Sequence, residues 1–209
     1  MYFLNLCARV IGRFSIIIYP YKLSIFIAKC FNLIVSYRLS CMLSKDCTMR
    51  LTRPYSIVGH KYIKSCNISY AGPNFRLECI DNYRGFYYNP KVFLGHNLSI
   101  GQNCHIGVIN KIVIGDNVLM GSNILITDHS HGRNDGSDTN VAPVERGLYS
   151  KGPVVIEDNV WICDNVSILP GVIVGRNSII GANSVVTRNI PPYSIAVGNP
   201  ARIVREIPH

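Results

Sequence analysis

Charged residues are scarce in this 209-residue sequence, and acidic residues are scarcer than basic ones, 12 against 21. Only 16% of the residues are charged, whereas about 25% is usual for a soluble globular domain. Hydrophobic residues make up 48% of the chain, which excludes intrinsic disorder. Glycine has no three-residue period, so a collagen-like fibre is also excluded. The length suits one domain with a sizeable core and a small appendage.

The sequence lacks the cysteine patterns of metal sites and disulfide scaffolds. None of the eight cysteines forms a C-x-x-C pair, and no Cys/His spacing suits zinc. We therefore expect no metal, and thiols that are mostly structural in a reducing compartment. A secretory signal is not recognisable, and no uncharged run reaches the roughly 20 residues of a spanning helix. These absences predict a cytoplasmic protein.

The net charge of +9 is concentrated at the N-terminus. Residues 1–53 contain eight basic residues and one acid, whereas residues 54–209 contain 13 and 11. The basic excess accompanies apolar residues rather than a stacking platform, which argues against nucleic acid as a partner. At helical spacing, one narrow polar stripe runs along residues 21–40, after a break at Pro20: Lys22, Lys29, Asn32, Ser36 and Ser40. Such a helix either packs on the main domain or in an oligomer, or it makes peripheral contact with an anionic membrane surface, at the inner face of the membrane.

A six-residue repeat begins at residue 94 and determines the fold. Asn stands three residues after most of the repeating aliphatic positions, and Gly often follows them directly. The aliphatic positions are Leu94, Ile100, Ile106, Ile114, Met120, Ile126, Ile156, Ile162, Ile168, Val174, Ile180 and Val186. A helix would rotate such residues around its axis, so the period predicts short strands joined by tight turns. Gly and Asn are expected where the backbone is left-handed or otherwise strained.

Three hexads make one triangular coil, which gives four regular coils: 94–111, 112–131, 154–171 and 172–189. Residues 57–90 are compatible with one or two irregular coils. The prediction is an all-β solenoid with a short α-helical N-terminal segment. Its parts are a basic, apolar helical segment (1–53), the solenoid (54–190) with an inserted loop (132–152), and a C-terminal extension (191–209).

The repeat resembles the hexapeptide-repeat acyltransferases, whose fold is a left-handed parallel β-helix. The resemblance covers about residues 90–207 and is carried by IVIGDNVLMGSNILITDHSHG (112–132), VVIEDNVWICDNVSILPGVIVGRNSIIGANSVVTRNIPP (154–192) and VGNPARIVREI (197–207). The branch it resembles holds galactoside, maltose and O-antigen or capsule O-acetyltransferases. The resemblance implies acetyl-CoA as the acyl donor, a sugar hydroxyl as the acceptor, and a bacterial surface polysaccharide as its setting.

The resemblance places the catalytic base at His129, at the root of the inserted loop. A neutral imidazole can take a proton from a hydroxyl that attacks a thioester. Asp128 either orients the imidazole or is a turn residue, and His131 is the alternative base or a substrate contact. The coil register adds Asn110, because a two-residue expansion at 108–111 occupies the same corner one coil earlier. Asn110 is then either a substrate or cofactor contact or part of a plain bulge.

The cofactor-binding candidates also follow from the resemblance. Trp161 points outward and either packs in the oligomer or contacts coenzyme A. Gly181 and Ala182 would allow a close approach of the cofactor to the last coil. Four further residues match positions near the cofactor in the family, with Arg188 and Arg202 the better pair: Thr187, Arg188, Arg202 and Arg205.

The residues just before the inward aliphatics predict an oligomer. Nine of these twelve outward positions are apolar, and the other three are Ser99, His105 and Ser167. The nine are Phe93, Val113, Leu119, Leu125, Val155, Trp161, Ile173, Ile179 and Val185. So large an apolar surface requires a partner, and the resemblance implies a homotrimer. Three alternatives remain. A γ-type carbonic anhydrase is disfavoured by the lack of an H-x-x-x-x-H pair, a non-catalytic scaffold by the loop and His129, and a serine acetyltransferase by the short N-terminal segment.

Overall fold

A long helix precedes a triangular solenoid of short strands in the computed structural model of the chain. The structure describes residues 21–43, 47–133 and 135–208, together with Asn5, Gly12 and Arg13. The predicted N-terminal segment is therefore described only in part. The expected break at Pro20 lies outside the described residues, as do positions 44–46 and the rest of 1–19. The helix, α1, spans Tyr21–Leu43.

Three sheets form the faces of the solenoid, and successive coils add one strand to each. The first sheet contains β1 (Thr48–Leu51), β4 (Asn67–Ala71), β9 (Leu98–Ile100), β12 (Leu119–Met120), β17 (Trp161–Ile162), β20 (Ile179–Ile180), β22 (Ser194–Val197) and β23 (Arg202–Glu206). The second contains β2 (Tyr55–Val58), β5 (Phe75–Cys79), β10 (His105–Val108), β13 (Leu125–Thr127), β18 (Ser167–Ile168) and β21 (Val185–Val186). The third contains β3 (Ile63–Ser65), β8 (Lys91–Leu94), β11 (Lys111–Ile114), β16 (Val154–Ile156) and β19 (Ile173–Val174). All pairings within these sheets are parallel except that of β22 with β23, so the predicted solenoid of parallel strands is confirmed.

The repeating aliphatic side chains fill the interior of the solenoid. Every one of the twelve predicted inward positions is at most 2% exposed, and none of the twelve outward positions is buried. Among the described residues, the cysteines form no disulfide with one another. Burial raises the pKa of the Cys66 thiol, and burial with the nearby Asp128 carboxylate raises that of Cys79 to about 12. These two thiols therefore behave as apolar core atoms.

Asn and Gly have different roles at the corners of the solenoid. Eight asparagines of the repeat are left-handed, with φ between 57° and 60°: Asn97, Asn103, Asn117, Asn123, Asn159, Asn165, Asn177 and Asn183. The glycines of the repeat are not left-handed, contrary to expectation. A Cβ atom at Gly121 would lie 2.9 Å from the backbone nitrogen of Asp164 in the next coil, so there Gly is needed for a close approach. Asn supplies the turn conformation, and Gly allows the coils to stack.

The solenoid begins before the predicted boundary at residue 54. Strand β1 already pairs with β4 in the first sheet, and β1 to β5 with β8 form two irregular coils. Between β5 and β8, a short antiparallel hairpin extends from the solenoid, made of β6 (Asn82–Tyr83) and β7 (Phe86–Tyr87). At the other end, β22 continues the first sheet and β23 folds back on it.

Helix α1 turns the serines of its polar stripe toward the solenoid. The Ser36 hydroxyl donates to the Leu51 carbonyl at 3.3 Å and accepts from the Leu51 amide at 2.9 Å, and the Ser40 hydroxyl accepts from the Met49 amide at 3.1 Å. These bonds satisfy the free edge of β1, which would otherwise be open to another strand. The sequence-based exclusion of a spanning helix was too strict, because α1 is long and apolar enough by length and composition to cross a membrane.

The inserted loop is a hairpin with an irregular tip. Strand β14 (Ser130–His131) pairs antiparallel with β15 (Leu148–Tyr149), and a short 3-10 helix spans Pro143–Glu145. The loop rests on the β6–β7 hairpin, because the Tyr83 hydroxyl donates to the Val144 carbonyl at 3.0 Å and Arg84 pairs with Glu145 at 2.6 Å. The loop therefore has a defined position beside the corner from which it departs.

We predict that Ser36→Ala weakens the attachment of α1 to β1. The Leu51 amide would lose its partner in a buried position, which costs about 1–3 kcal/mol. Hydrogen exchange at Leu51 should then accelerate about tenfold or more. The matched control is Ser24→Ala, since Ser24 is half-buried in the first turn of α1 and its hydroxyl donates to the Tyr21 carbonyl. Equal exchange at Leu51 in both variants would contradict the proposed edge protection.

Candidate active site

A buried carboxylate organises the corner between the second and third sheets. Asp128 is completely buried, and it accepts hydrogen bonds from the backbone amides of Ile109 at 2.9 Å and Asn110 at 2.8 Å. Both donors belong to the two-residue expansion that the sequence placed one coil earlier at this corner. Asp128 is therefore a structural anchor of the expansion rather than an ordinary exposed turn residue.

The same carboxylate holds the ring of His129. Oδ1 of Asp128 lies 3.1 Å from Nδ1 of His129, and the Thr127 hydroxyl lies 3.2 Å from the same nitrogen. The His129 side chain is only 12% exposed. With a proton on Nδ1 donated to the carboxylate, Nε2 is left unprotonated, and it makes no hydrogen bond to a described residue. This arrangement suits a general base with a buried orienting group.

A cleft opens at Asn110, in the expansion whose amides bind Asp128, and neither Asp128 nor His129 is among its lining residues. It has a volume of about 420 Å³ and is lined by residues that include Asn110, Lys111, Tyr149 and Ser150. The Asn110 side-chain amide donates to the Ser150 hydroxyl at 3.3 Å. Asn110 therefore joins the expansion to the end of the inserted loop and bonds through its backbone amide to Asp128. Its predicted position beside His129, directly or across a subunit boundary, stays a prediction.

His131 has a different environment. It is in β14, its side chain is exposed, and its ring meets the Tyr83 ring edge to face with centroids 5.3 Å apart. No carboxylate is hydrogen bonded to His131 among the described residues. The geometry thus favours His129 over His131 as the residue prepared to act as a base.

Sequence reasoning missed His105 as a member of this site. A Cβ atom at Gly107 would lie 3.2 Å from Cε1 of His129 and 3.5 Å from Nε2 of His105, so both rings lie over this glycine. Nε2 of His105 is buried and lies 3.3 Å from Oε2 of Glu78, close enough for an ion pair when the imidazole is protonated. The available signal was His105 and Gly107 in one strand, in parallel register with Leu125 and Thr127.

Most of the predicted cofactor residues gather on the first sheet. Trp161 is 47% exposed and shares an outward row with Ile179, Ile195 and Arg205. Arg202 is paired with Val197 at the end of that sheet. Gly181 and Ala182 follow β20 at the adjoining corner, with Ala182 exposed, so these five predicted residues flank one continuous surface.

Two predicted cofactor residues lie elsewhere. Thr187 and Arg188 follow β21 in the second sheet, at the corner that also carries His129. They are two strands beyond β13, or about 10 Å along the solenoid axis at the usual strand spacing. The better pair expected from the sequence, Arg188 and Arg202, is therefore divided between two sides of the solenoid.

The His129 corner and the Trp161 surface are on opposite sides of one chain. His129 follows the second sheet and precedes the third, whereas Trp161 is on the first. In a triangular section, the corner between two faces is opposite the remaining face. A single chain therefore does not bring the predicted base and the exposed tryptophan together. Among the described residues, no group of three His, Cys, Asp or Glu side chains is arranged to hold a metal ion.

Comparison with known proteins identifies relatives of this fold. Residues 153–188 match the family model described as bacterial transferase hexapeptide (six repeats). A maltose O-acetyltransferase from Clostridium difficile 630 is similar at 25% identity and a TM-score of 0.52, over 86% of this chain and 88% of that one. A hexapeptide-repeat containing acetyltransferase from Vibrio cholerae is similar at 25% identity and a TM-score of 0.55, over 90% and 88%. No protein with curated annotation is significantly similar in sequence. The predicted resemblance is confirmed.

We predict that His105 is mainly neutral at pH 7. Burial lowers the pKa of this imidazole from its usual 6.5, and the Arg76 guanidinium lowers it further. An NMR titration should give a midpoint below 6.5 in the wild type. In Arg76→Ala the midpoint should rise, because a neighbouring positive charge has been removed.

The control for this titration is Arg84→Ala, which removes an exposed arginine paired with Glu145 in the loop. That variant should leave the His105 midpoint unchanged. A wild-type midpoint at or above 6.5, or the same midpoint in Arg76→Ala, would refute the assigned environment.

Proposed function

We propose that this chain, a hexapeptide-repeat acetyltransferase by its repeat and its structural relatives, moves an acetyl group from acetyl-CoA to a sugar hydroxyl with His129 as the general base. The observation that carries the proposal is the hydrogen bond between the buried Asp128 carboxylate and Nδ1 of His129. Because Nδ1 of His129 faces the carboxylate, Nε2 on the other side of the ring points away from Asp128.

His129 would act on the acceptor hydroxyl through Nε2. The imidazole takes the hydroxyl proton as the acceptor oxygen attacks the thioester carbonyl, and a carbon–oxygen bond forms. The resulting imidazolium keeps its proton on Nδ1, hydrogen bonded to the Asp128 carboxylate. The negative charge of that carboxylate stabilises the imidazolium. When the carbon–sulfur bond breaks, His129 returns the proton to the departing thiolate. The products are the acetylated sugar and coenzyme A with a free thiol.

The first-sheet surface has the chemistry that the donor requires. Trp161 offers an exposed aromatic face for the apolar part of the donor, and Arg202 and Arg205 provide cations for its phosphates. Acetyl-CoA is bound in a structure of the acetyltransferase from Vibrio cholerae O1 biovar eltor, whose fold matches this chain with a TM-score of 0.55 at 24% identity. This supports acetyl-CoA as the donor here. Thr187 and Arg188 would contact the donor from the His129 corner.

The acceptor is proposed to occupy the cleft beside Asn110. Its lining combines an amide, a hydroxyl, an ammonium and an aromatic ring, from Asn110, Ser150, Lys111 and Tyr149. This combination suits a sugar, which presents many hydroxyl groups and an apolar ring face. The maltose O-acetyltransferase from Clostridium difficile has a sugar in its name, which supports a sugar acceptor. We propose a unit of a bacterial surface polysaccharide, with His131 at the outer edge of the cleft.

A homotrimer is proposed as the active form. Leu119, Trp161 and Ile173 are 40% or more exposed in a single chain, and they belong to the apolar outward rows. A second chain packed against the first would cover part of this surface. It would also bring the Trp161 surface of one chain to the His129 corner of its neighbour, which no arrangement of a single chain achieves. The trimer therefore completes the proposed site.

We predict that His129→Ala lowers acetyl transfer about 100-fold or more, the scale of a lost general base. The assay follows thiol release from acetyl-CoA and acetylated product by mass spectrometry, against simple sugars, bacterial polysaccharides and serine. His60→Ala is the matched control, because His60 is exposed in a surface turn formed by residues 60–62. Sedimentation should give a trimer for the wild type, His129→Ala and His60→Ala.

Four results would contradict this proposal. Near wild-type turnover in His129→Ala would exclude His129 as the base, and a large loss confined to His131→Ala would transfer that role to His131. Transfer to serine alone would replace the sugar acceptor with a small amino acid. A monomer at micromolar concentration in gentle buffer would exclude the shared site.

A further inference from the structure

Helix α1 leaves most of its apolar surface uncovered. Ten large hydrophobic side chains on this one helix are 37% or more exposed: Tyr21, Leu23, Ile25, Phe26, Ile27, Phe31, Leu33, Ile34, Tyr37 and Met42. Except for Ile25, which lies in line with the polar stripe, they occupy the sides and back of the helix, away from the serines that contact β1. An apolar patch of this size on a solvent-facing helix marks an interaction surface.

The solenoid does not cover this apolar patch. Ser36 and Ser40 are the two buried residues of the helix, and both are bound to the edge strand β1. The polar stripe, which would face water on an isolated amphipathic helix, is thus partly used to hold the helix on the solenoid. The apolar side is consequently directed outward, and the protein itself fixes this orientation.

The surroundings of the patch are positively charged. Residues 21–53 contain six basic residues and a single acid, Asp46. Arg38 is exposed among the outward apolar side chains, and Lys22 and Lys29 are exposed along the polar stripe in the part of the helix that precedes Ser36. Arg50 lines a groove between α1 and the first strands, together with the helix residues Leu33, Tyr37 and Cys41. A basic group beside apolar side chains matches the negative headgroup and acyl chain of an anionic phospholipid.

The attachment of α1 limits how it can meet a bilayer. Although the helix is long enough to span a membrane on its own, its C-terminal half is held against β1 by Ser36 and Ser40. The part before Asn32, residues 21–31, is about 17 Å long at the rise of an α-helix. The hydrocarbon core is about 30 Å thick. A helix attached in this way can lie in the membrane surface but cannot cross it.

We propose that the outward face of α1 docks on the surface of an anionic phospholipid bilayer, at the cytoplasmic side of the membrane. The apolar side chains enter the boundary between headgroups and acyl chains, and the basic residues contact the headgroups. This docking would hold the enzyme where lipid-carried sugar acceptors are exposed. It depends on the orientation of α1 and not on the identity of the acceptor or on His129.

The test uses the full-length protein and vesicle flotation. Vesicles of phosphatidylcholine alone are compared with vesicles containing about one third phosphatidylglycerol. The wild type is expected to float with the anionic vesicles, less at high salt and less with phosphatidylcholine alone. Phe26→Glu/Ile34→Glu should reduce the bound fraction about tenfold or more, because two charges enter the apolar contact. These positions are 62% and 66% exposed, so the protein itself loses little packing.

The matched control is Val204→Glu, which introduces the same charge at a residue 60% exposed in β23, at the opposite end of the solenoid. This variant should float like the wild type. Removing all residues before Pro54 is unsuitable, because it would also remove strand β1. Circular dichroism and acetyl transfer to a soluble acceptor report on folding and on the proposed catalytic function separately.

Two outcomes would overturn the proposal. In the first, the wild type remains unbound at low salt, or Phe26→Glu/Ile34→Glu floats as well as Val204→Glu. In the second, sedimentation shows that Phe26→Glu/Ile34→Glu changes the oligomeric state and Val204→Glu does not, while neither the wild type nor the double variant binds vesicles. That result would assign the outward face of α1 to contact with another copy of this chain.

Discussion

Hydrogen bonds between equivalent positions of successive coils are the constraint on which the rest of the structure depends. The Leu119 amide donates to the Val160 carbonyl at 3.0 Å, and the Trp161 amide donates to the Ser178 carbonyl one coil further on, also at 3.0 Å. A residue gained or lost in any coil would break this register unless the extra length were accommodated at a corner. Functional residues can therefore be added only at corners, and the expansion at 108–111 and the inserted hairpin both occur there.

Asp128 shows how the solenoid accommodates such an addition. The extra residues at 109 and 110 present two amides that the regular coil-to-coil pattern does not use, and the Asp128 carboxylate accepts both. One of these oxygens, Oδ1, also lies 3.1 Å from Nδ1 of His129 and orients its ring. One buried side chain thus closes the irregular backbone and prepares the proposed base, which explains why the two features occur at adjacent levels of one corner.

The repeat made the solenoid predictable, because a period of six leaves no choice about which side chains face inward. The aliphatic rows and the left-handed asparagines follow from local geometry, and so does the position of Asn110. The first coils were harder to predict, since β1 to β5 lack the hexad spacing. The burial of Ser36 and Ser40 depends on the free edge of β1, which no local pattern reveals. His105 was overlooked because its importance arises from Gly107 and the neighbouring strand rather than from its own sequence context.

The division of candidate residues between two sides of the solenoid is the central functional feature. Co-expression of His129→Ala chains with Trp161→Ala/Arg202→Ala chains, followed by purification of trimers that contain both, tests it most directly. If each site combines His129 of one chain with the first-sheet surface of its neighbour, every mixed cyclic trimer contains one intact site, so the purified mixed trimers should recover about one third of the wild-type activity. Each parental protein alone should have little activity. Mixed trimers no more active than the two parents would show that the site lies within a single chain, contrary to the proposed arrangement.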